Sequence, residues 1–377
     1  MRYFIVAGEA SGDLHGSNLI KSLIEEDKDA DIVCWGGDLM ESAGAKLLMH
    51  YRNTAFMGFI VILKNLGRVL HNISLCKKQV QEYKPDVLIL IDYPAFNMRI
   101  AKFAKLSGIK VFYYISPKFW AWREKRVMKV KKWVDRMFII FPFETEFYRK
   151  YDIPVEYRGN PLVDEIERKI ASLPGKNEII EKLQLGSKPL ITILPGSRKD
   201  EIRSMLPQII KIISDFPGYQ FVIAGVRNIP EKLYTEITGN APVKIVNDKT
   251  YELLKVSEAA IVKSGTSTLE TALFNIPQVV CYKGDFFSML IALILIKVKY
   301  VSLVNLIAGS EIVKELLGYK LNRKNLVKEL SLIIEGGPKR ERMLSDYKIL
   351  MEKLGPAGAS GRIAGAMVEE MRCGGKG

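Results

Sequence analysis

The chain has 377 residues, 48% of them hydrophobic, with 29 glycines and 16 prolines, enough apolar material for two domains with their own cores and not the composition of a disordered chain. A formal charge of +14 calls for an anionic partner, whether nucleic acid, an anionic membrane surface or a phosphorylated substrate, without choosing among them. Cys34, Cys76, Cys281 and Cys373 stand far apart and only His15, His50 and His71 accompany them, so a reducing compartment, no structural zinc and no bound metal are expected.

The N-terminus opens on a strand-like run without the pattern of a signal peptide, which predicts a cytoplasmic protein. Apolar runs at 3–7, 32–35, 87–91, 111–115 and 137–141 alternate with longer amphipathic stretches. After the Leu173-Pro174-Gly175 break the pattern restarts at 190–194, 220–224, 243–246, 259–262 and 278–282. The alternation predicts an α/β chain of two doubly wound, Rossmann-like domains. The first spans 1–170 and the second 186–338, with a helical tail over 339–371 packing back on the first. Two such domains would face a cleft, since ligands of open parallel sheets sit outside the carboxyl ends of the strands.

Chemistry-bearing residues fall at those strand ends. After the first run comes Gly8-Glu-Ala-Ser-Gly-Asp13; a helix N-cap accounts for Ser11 or Asp13, whereas Glu9 suits a general base or a ligand to hydroxyl groups. Asp92 ends an almost wholly apolar strand, where an unpaired carboxylate is costly, and so should face a cleft or a partner. Between Lys118 and Arg136 eight basic and two acidic residues are interleaved with Phe119, Trp120, Trp122 and Trp133. That segment suits single-stranded nucleic acid, a phosphorylated or membrane-bound substrate, or a solvated helix face. The apolar stretch with Met57, Phe59, Ile60, Ile62 and Leu63, dotted with Lys64 and Arg68, reads as core or as a surface for acyl chains or membrane. The run 286–296 is too short to span a bilayer; it reads as a buried helix or a membrane-dipping element.

In the second half, Gly196, Ser197 and Arg198 follow one strand, and Ser264, Gly265 and Thr266 follow another and open a helix. Small turns feeding a helix offer backbone N–H groups to phosphate, and Arg198 adds a planar cation. Two such loops suggest a diphosphate, while the spacings of ATP- and NAD-binding loops are missing.

Seven segments in order (Gly8–Asp13, Phe56–Gly58, Ile91–Asn97, Ser116–Arg123, Leu194–Arg198, Lys263–Thr266 and Tyr300–Gly309) together resemble the lipid-A-disaccharide synthases, glycosyltransferases of the GT-B fold. The resemblance implies a peripheral inner-membrane enzyme that joins UDP-2,3-diacylglucosamine to 2,3-diacylglucosamine 1-phosphate with inversion, without cofactor, metal or nucleic acid, and leaves a homodimer open. It implies Asp92, and second Glu9, as base. Diphosphate or sugar binding would fall to Gly196, Ser197, Arg198, Ser264, Gly265, Thr266 and Asn305, with Glu270 on the ribose. Trp120, Trp122, Arg123 and the 57–68 stretch would meet acceptor, acyl chains or membrane. Ala95 and Val304 stand where the family commonly has Asp and Pro, which puts more weight on Asp92. Another GT-B enzyme, such as a UDP-N-acetylglucosamine 2-epimerase or a muramyl-lipid glycosyltransferase, is the runner-up; a nucleic-acid-binding protein and a membrane scaffold are alternatives of another class.

Overall fold

A computed structural model describes residues 1–54, 66–122, 124–283 and 299–374. The chain divides into two compact units, 1–161 with 357–377, and 162–356. The first unit holds β1 (Arg2–Ala7), β2 (Asp31–Gly36), β3 (Lys46–His50), β4 (Val87–Ile91), β5 (Lys110–Tyr114), β6 (Arg136–Ile139) and β7 (Val155–Tyr157). They form one parallel sheet in the order β3-β2-β1-β4-β5-β6-β7. The second holds β8 (Leu190–Leu194), β9 (Gln220–Gly225), β10 (Val243–Asn247), β11 (Ser257–Lys263), β12 (Gln278–Tyr282) and β13 (Lys314–Leu317), again all parallel, in the order β10-β9-β8-β11-β12-β13.

Every residue of β4 and of β8 is buried, as expected for central strands covered by helices on both faces. In the first unit Phe4, Leu88, Ile100, Val111 and Met137 anchor a core between sheet and helices. A second core gathers Leu190, Val222, Leu253, Ala260 and Val262.

The tail divides between the units. The helix Arg340–Leu354 stays with the second, burying Met343, Tyr347, Leu350 and Leu354, and the Tyr347 hydroxyl accepts from Gln278 Nε2 at 3.2 Å. After Gly355, at φ +75°, only the helix Ala359–Gly374 belongs to the first unit, where it packs on the helix Ala10–Glu26. The helix Pro161–Ser172 falls almost wholly in the second unit, so the division lies at 161/162 and not between 170 and 186.

Candidate active site

Strand order reverses between β1 and β4, and this switch point is where an open parallel sheet leaves a crevice beyond its strand ends. Glu9 and Asp92 follow these two strands. Asp92 and Tyr93 adopt left-handed backbone, φ +41° and +48°, and so does Ile115 beyond neighbouring β5, at φ +65°. Non-glycine residues hold that conformation only where their surroundings impose it. Here Asn97 Nδ2 donates to the carbonyls of Ile91 at 3.1 Å and Asp92 at 2.8 Å. The Tyr113 hydroxyl also donates to the Asp92 carbonyl, and the Asp92 N–H donates to the Tyr114 carbonyl at 3.1 Å. Burial, and after it the charge of Glu9, pushes the half-buried Asp92 carboxyl up to about 6, against the pull of Lys118 and a backbone hydrogen bond. A carboxylate poised near neutral pH suits a general base.

Glu9 is the N-cap residue of Ala10–Glu26 and accepts from the Ser11 hydroxyl at 2.7 Å; no side chain caps that helix. The expectation that Ser11 or Asp13 caps it is therefore corrected. Buried Asp13 accepts from the N–H groups of Gly37, Leu39 and Met40 at 2.8, 3.2 and 3.1 Å, capping instead the next helix, Asp38–Ser42, whose positive end favours a carboxylate. Gly8 is required because a Cβ there would lie 2.3 Å from the Tyr93 ring.

In the second unit the reversal falls between β8 and β11, and a cavity of about 790 Å³ opens there. Gly196, Ser197, Gly265, Thr266 and Glu270 line it. Burial, and then Glu165, pushes Glu270 up to about 7, so this carboxyl can donate or accept a hydrogen bond near neutrality. Arg198, 70% exposed, lies beside the cavity loop with Nη1 3.9 Å from Glu201. Ser264 is buried, and its hydroxyl donates to the Val301 carbonyl at 3.0 Å, tying the loop to the segment that carries Asn305.

Asn305 is a correction. It is fully buried; its Nδ2 donates to Val313 O at 2.8 Å and Glu315 Oε1 at 2.9 Å, while its Oδ1 accepts from the N–H groups of Ile312 and Val313 at 2.8 and 3.0 Å. All four hydrogen-bonding sites of the amide are used by the fold, so its side chain staples the 301–315 segment and has none left for diphosphate.

The basic segment is more structural than its composition suggests. Trp120 is half-buried, donates its indole N–H to Glu144 at 3.1 Å and meets Phe143 edge-on at 5.0 Å. Glu144, 1% exposed, also accepts from the Ser116 hydroxyl at 2.6 Å and the Phe141 N–H at 3.1 Å. Burial pushes its carboxyl up to about 7. Trp122 ends the short helix Phe119–Trp122 and Arg68 is exposed on the helix Leu66–Tyr83. Met57, Phe59, Ile60, Ile62, Leu63, Lys64, Arg123 and the 286–296 run lie outside the described residues. Among the described residues no helix is long and apolar enough to cross a membrane, and no group of three His, Cys, Asp or Glu gathers as a metal site would need.

The family model described as Lipid-A-disaccharide synthetase (LpxB) matches residues 3–360. The chain belongs to this family. Curated proteins named lipid-A-disaccharide synthase resemble it along nearly their whole length. The one from Geobacter metallireducens is 35% identical over 375 residues, covering 98% of this chain and 97% of that protein. The Myxococcus xanthus protein is 35% identical over 376 residues with the same coverage. Among solved structures, the S. aureus MnaA-UDP complex superposes with a TM-score of 0.69 at 15% identity, covering 98% of this chain and 97% of that one. The UDP-GlcNAc 2-epimerase from Neisseria meningitidis bound to UDP-GlcNAc gives 0.65 at 14%, covering 98% and 100%. At such identity these structures share the fold alone, the two-domain GT-B architecture, and the epimerase reading is not favoured. The chain is thus a glycosyltransferase of lipid A disaccharide synthesis.

Sequence reasoning gave no site role to Lys263, named only as the start of the Lys263–Thr266 segment, or to Glu201; both also line the cavity. Glu201 reads in sequence as one more acid in the first turn of a helix; no local signal marks its partner 62 positions on.

Proposed function

We propose that the protein transfers the sugar of UDP-2,3-diacylglucosamine to the 6-hydroxyl of 2,3-diacylglucosamine 1-phosphate, giving a β-1,6-linked disaccharide 1-phosphate and UDP. The observation that carries this reading is the family match across residues 3–360. The Asp92 carboxylate takes the proton of the acceptor hydroxyl as its oxygen bonds to the anomeric carbon, and the electron pair of the breaking C–O bond leaves with the β-phosphate. The left-handed turn at Asp92 fixes where that carboxylate is presented, and burial, with the charge of Glu9 after it, keeps its proton affinity high. The second unit's loops hold the nucleotide: N–H groups of the Gly196 and Gly265 turns and the Arg198 guanidinium meet the diphosphate, Thr266 stands at the start of the following helix, and Glu270 meets the ribose.

The enzyme works at an anionic membrane surface without spanning it. The helices Leu66–Tyr83, Pro94–Leu106 and Val127–Trp133 pack together in the first unit. They expose Leu70, Leu106 and Met128 among many lysines, a composition suited to acidic headgroups.

Incubating the purified protein with both substrates, while following UDP release and product mass together, tests the reaction. Stoichiometric UDP and disaccharide 1-phosphate are expected; UDP-sugar consumption without disaccharide would assign a different GT-B reaction. Sedimentation with phosphatidylglycerol vesicles, weakened by salt and absent with phosphatidylcholine, tests the surface.

A further inference from the structure

The cavity of the second unit holds a charge arrangement that the loops alone do not account for. Lys263 ends β11, and its Nζ lies 2.8 Å from Glu201 Oε1, with side chains only 22% and 18% exposed. The same oxygen lies 3.9 Å from Arg198 Nη1. Gly196, at φ +105°, crosses directly over this carboxylate, for a Cβ there would come 2.6 Å from Glu201 Oε2. One carboxylate thus serves two cations beneath a phosphate-type turn, and the trio keeps one net positive charge. A half-buried ion pair adds little to stability, since desolvation offsets the attraction.

We propose that Lys263 is a second cation, beside Arg198, that meets the diphosphate of the sugar nucleotide, and that Glu201 is the internal anion standing in for it until the ligand arrives. The inference rests on reading this cavity as the UDP site. An ammonium is a compact point charge on a flexible stem, able to turn from a carboxylate to a nearby phosphate oxygen without rebuilding the wall around it. The diphosphate brings more negative charge than the single carboxylate it replaces, so the exchange favours the ligand where the trio has charge to spare. The turn at Gly196 would then close over ligand phosphate as it now closes over Glu201.

Calorimetric titration of full-length wild type, K263M, K263R and E201Q with UDP and with uridine tests this. K263M should weaken UDP on the order of 10–100-fold, the worth of a charge-assisted hydrogen bond, and leave uridine within about twofold. K263R should recover most of the loss, and E201Q should tighten UDP by removing the competing anion. Equal UDP affinity in K263M, a parallel loss of uridine, or weaker UDP binding by E201Q would each overturn the proposal. A wild-type protein that binds no UDP would instead overturn the cavity assignment beneath it. Thermal melts of each variant identify any that fails to fold, and E201Q then carries the test without K263M.

Discussion

Asp92 shows how one position can be legible in sequence as to kind and hidden as to means. A carboxylate after five apolar residues had to face something polar, and that much the sequence carried. The left-handed backbone of Asp92, Tyr93 and Ile115 is invisible in sequence because none of the three is glycine; it depends on Asn97 and Tyr113, placed only by the folded sheet. Asn305 misled for the converse reason, since a polar residue in a motif reads alike whether it faces a ligand or its own backbone. As a base, Asp92 must be ionised, so kcat/KM should fall as pH drops below about 6, and Asp92→Asn should lower turnover about 10²–10⁴-fold with the fold intact. A pH–rate profile flat through that range would remove the role. Linkage gives an independent sign. The folded-state pKa lies above the ordinary 3.8, so the folded state binds the proton more tightly, and stability declines as pH rises through the window between the two values. Asp92→Asn should therefore melt higher than wild type at pH near 8 and nearly alike at about pH 3; calorimetry showing the reverse would contradict the burial argument.

At the scale of elements, the strands foreseen were those with continuous apolar runs, and the three overlooked, β3, β7 and β13, are all edge strands. An edge strand has one paired side and half-exposed residues, and the patterns of β3 and β7 are largely intermediate in burial, so Lys46, Glu156 and Lys314 interrupt the hydrophobic signal. Turns near the sites tolerate little change. Gly8→Ala drives a methyl into the Tyr93 ring, whose hydroxyl donates to the Thr54 carbonyl at 3.0 Å; a loss of about 1–3 kcal/mol is expected by chemical denaturation, with activity falling further because Tyr93 adjoins Asp92. Asn305→Ala strips four hydrogen bonds from a buried segment and should destabilise by about 2 kcal/mol or more. If Asn305→Ala instead kept full stability and lost only UDP affinity, the staple reading would be wrong.

Across the whole molecule, the charge of +14 is spread over both units, and its meaning depends on which surfaces carry it. At Lys263 it meets the cavity of the second unit, with Arg198 beside it; on the lysine-rich helices of the first unit it faces solvent beside exposed apolar side chains. Sequence reading placed the whole tail on the first unit, where only its second helix belongs, because two amphipathic helices in a row look alike until Gly355 is seen to separate them. Helix Ala359–Gly374 buries Ile363, Met367 and Val368, and Arg136 is bound by Glu370. Removing residues 357–377 should cost the first unit on the order of 5 kcal/mol, read as a lower or separate melting transition. UDP binding in the second unit should survive, and a truncated protein with unchanged melting would refute the packing.

That arrangement also sets an order of events during synthesis. The second unit is one unbroken stretch and is complete once Pro356 has left the ribosome, whereas the first begins the chain yet lacks a helix until residues 359–374 follow. The usual sequence, in which the leading domain finishes first, is reversed: the half proposed to hold the nucleotide matures while the half bearing Asp92 still waits for the helix Ala359–Gly374, so on that proposal a chain cut short between the two would bind UDP before it could use it.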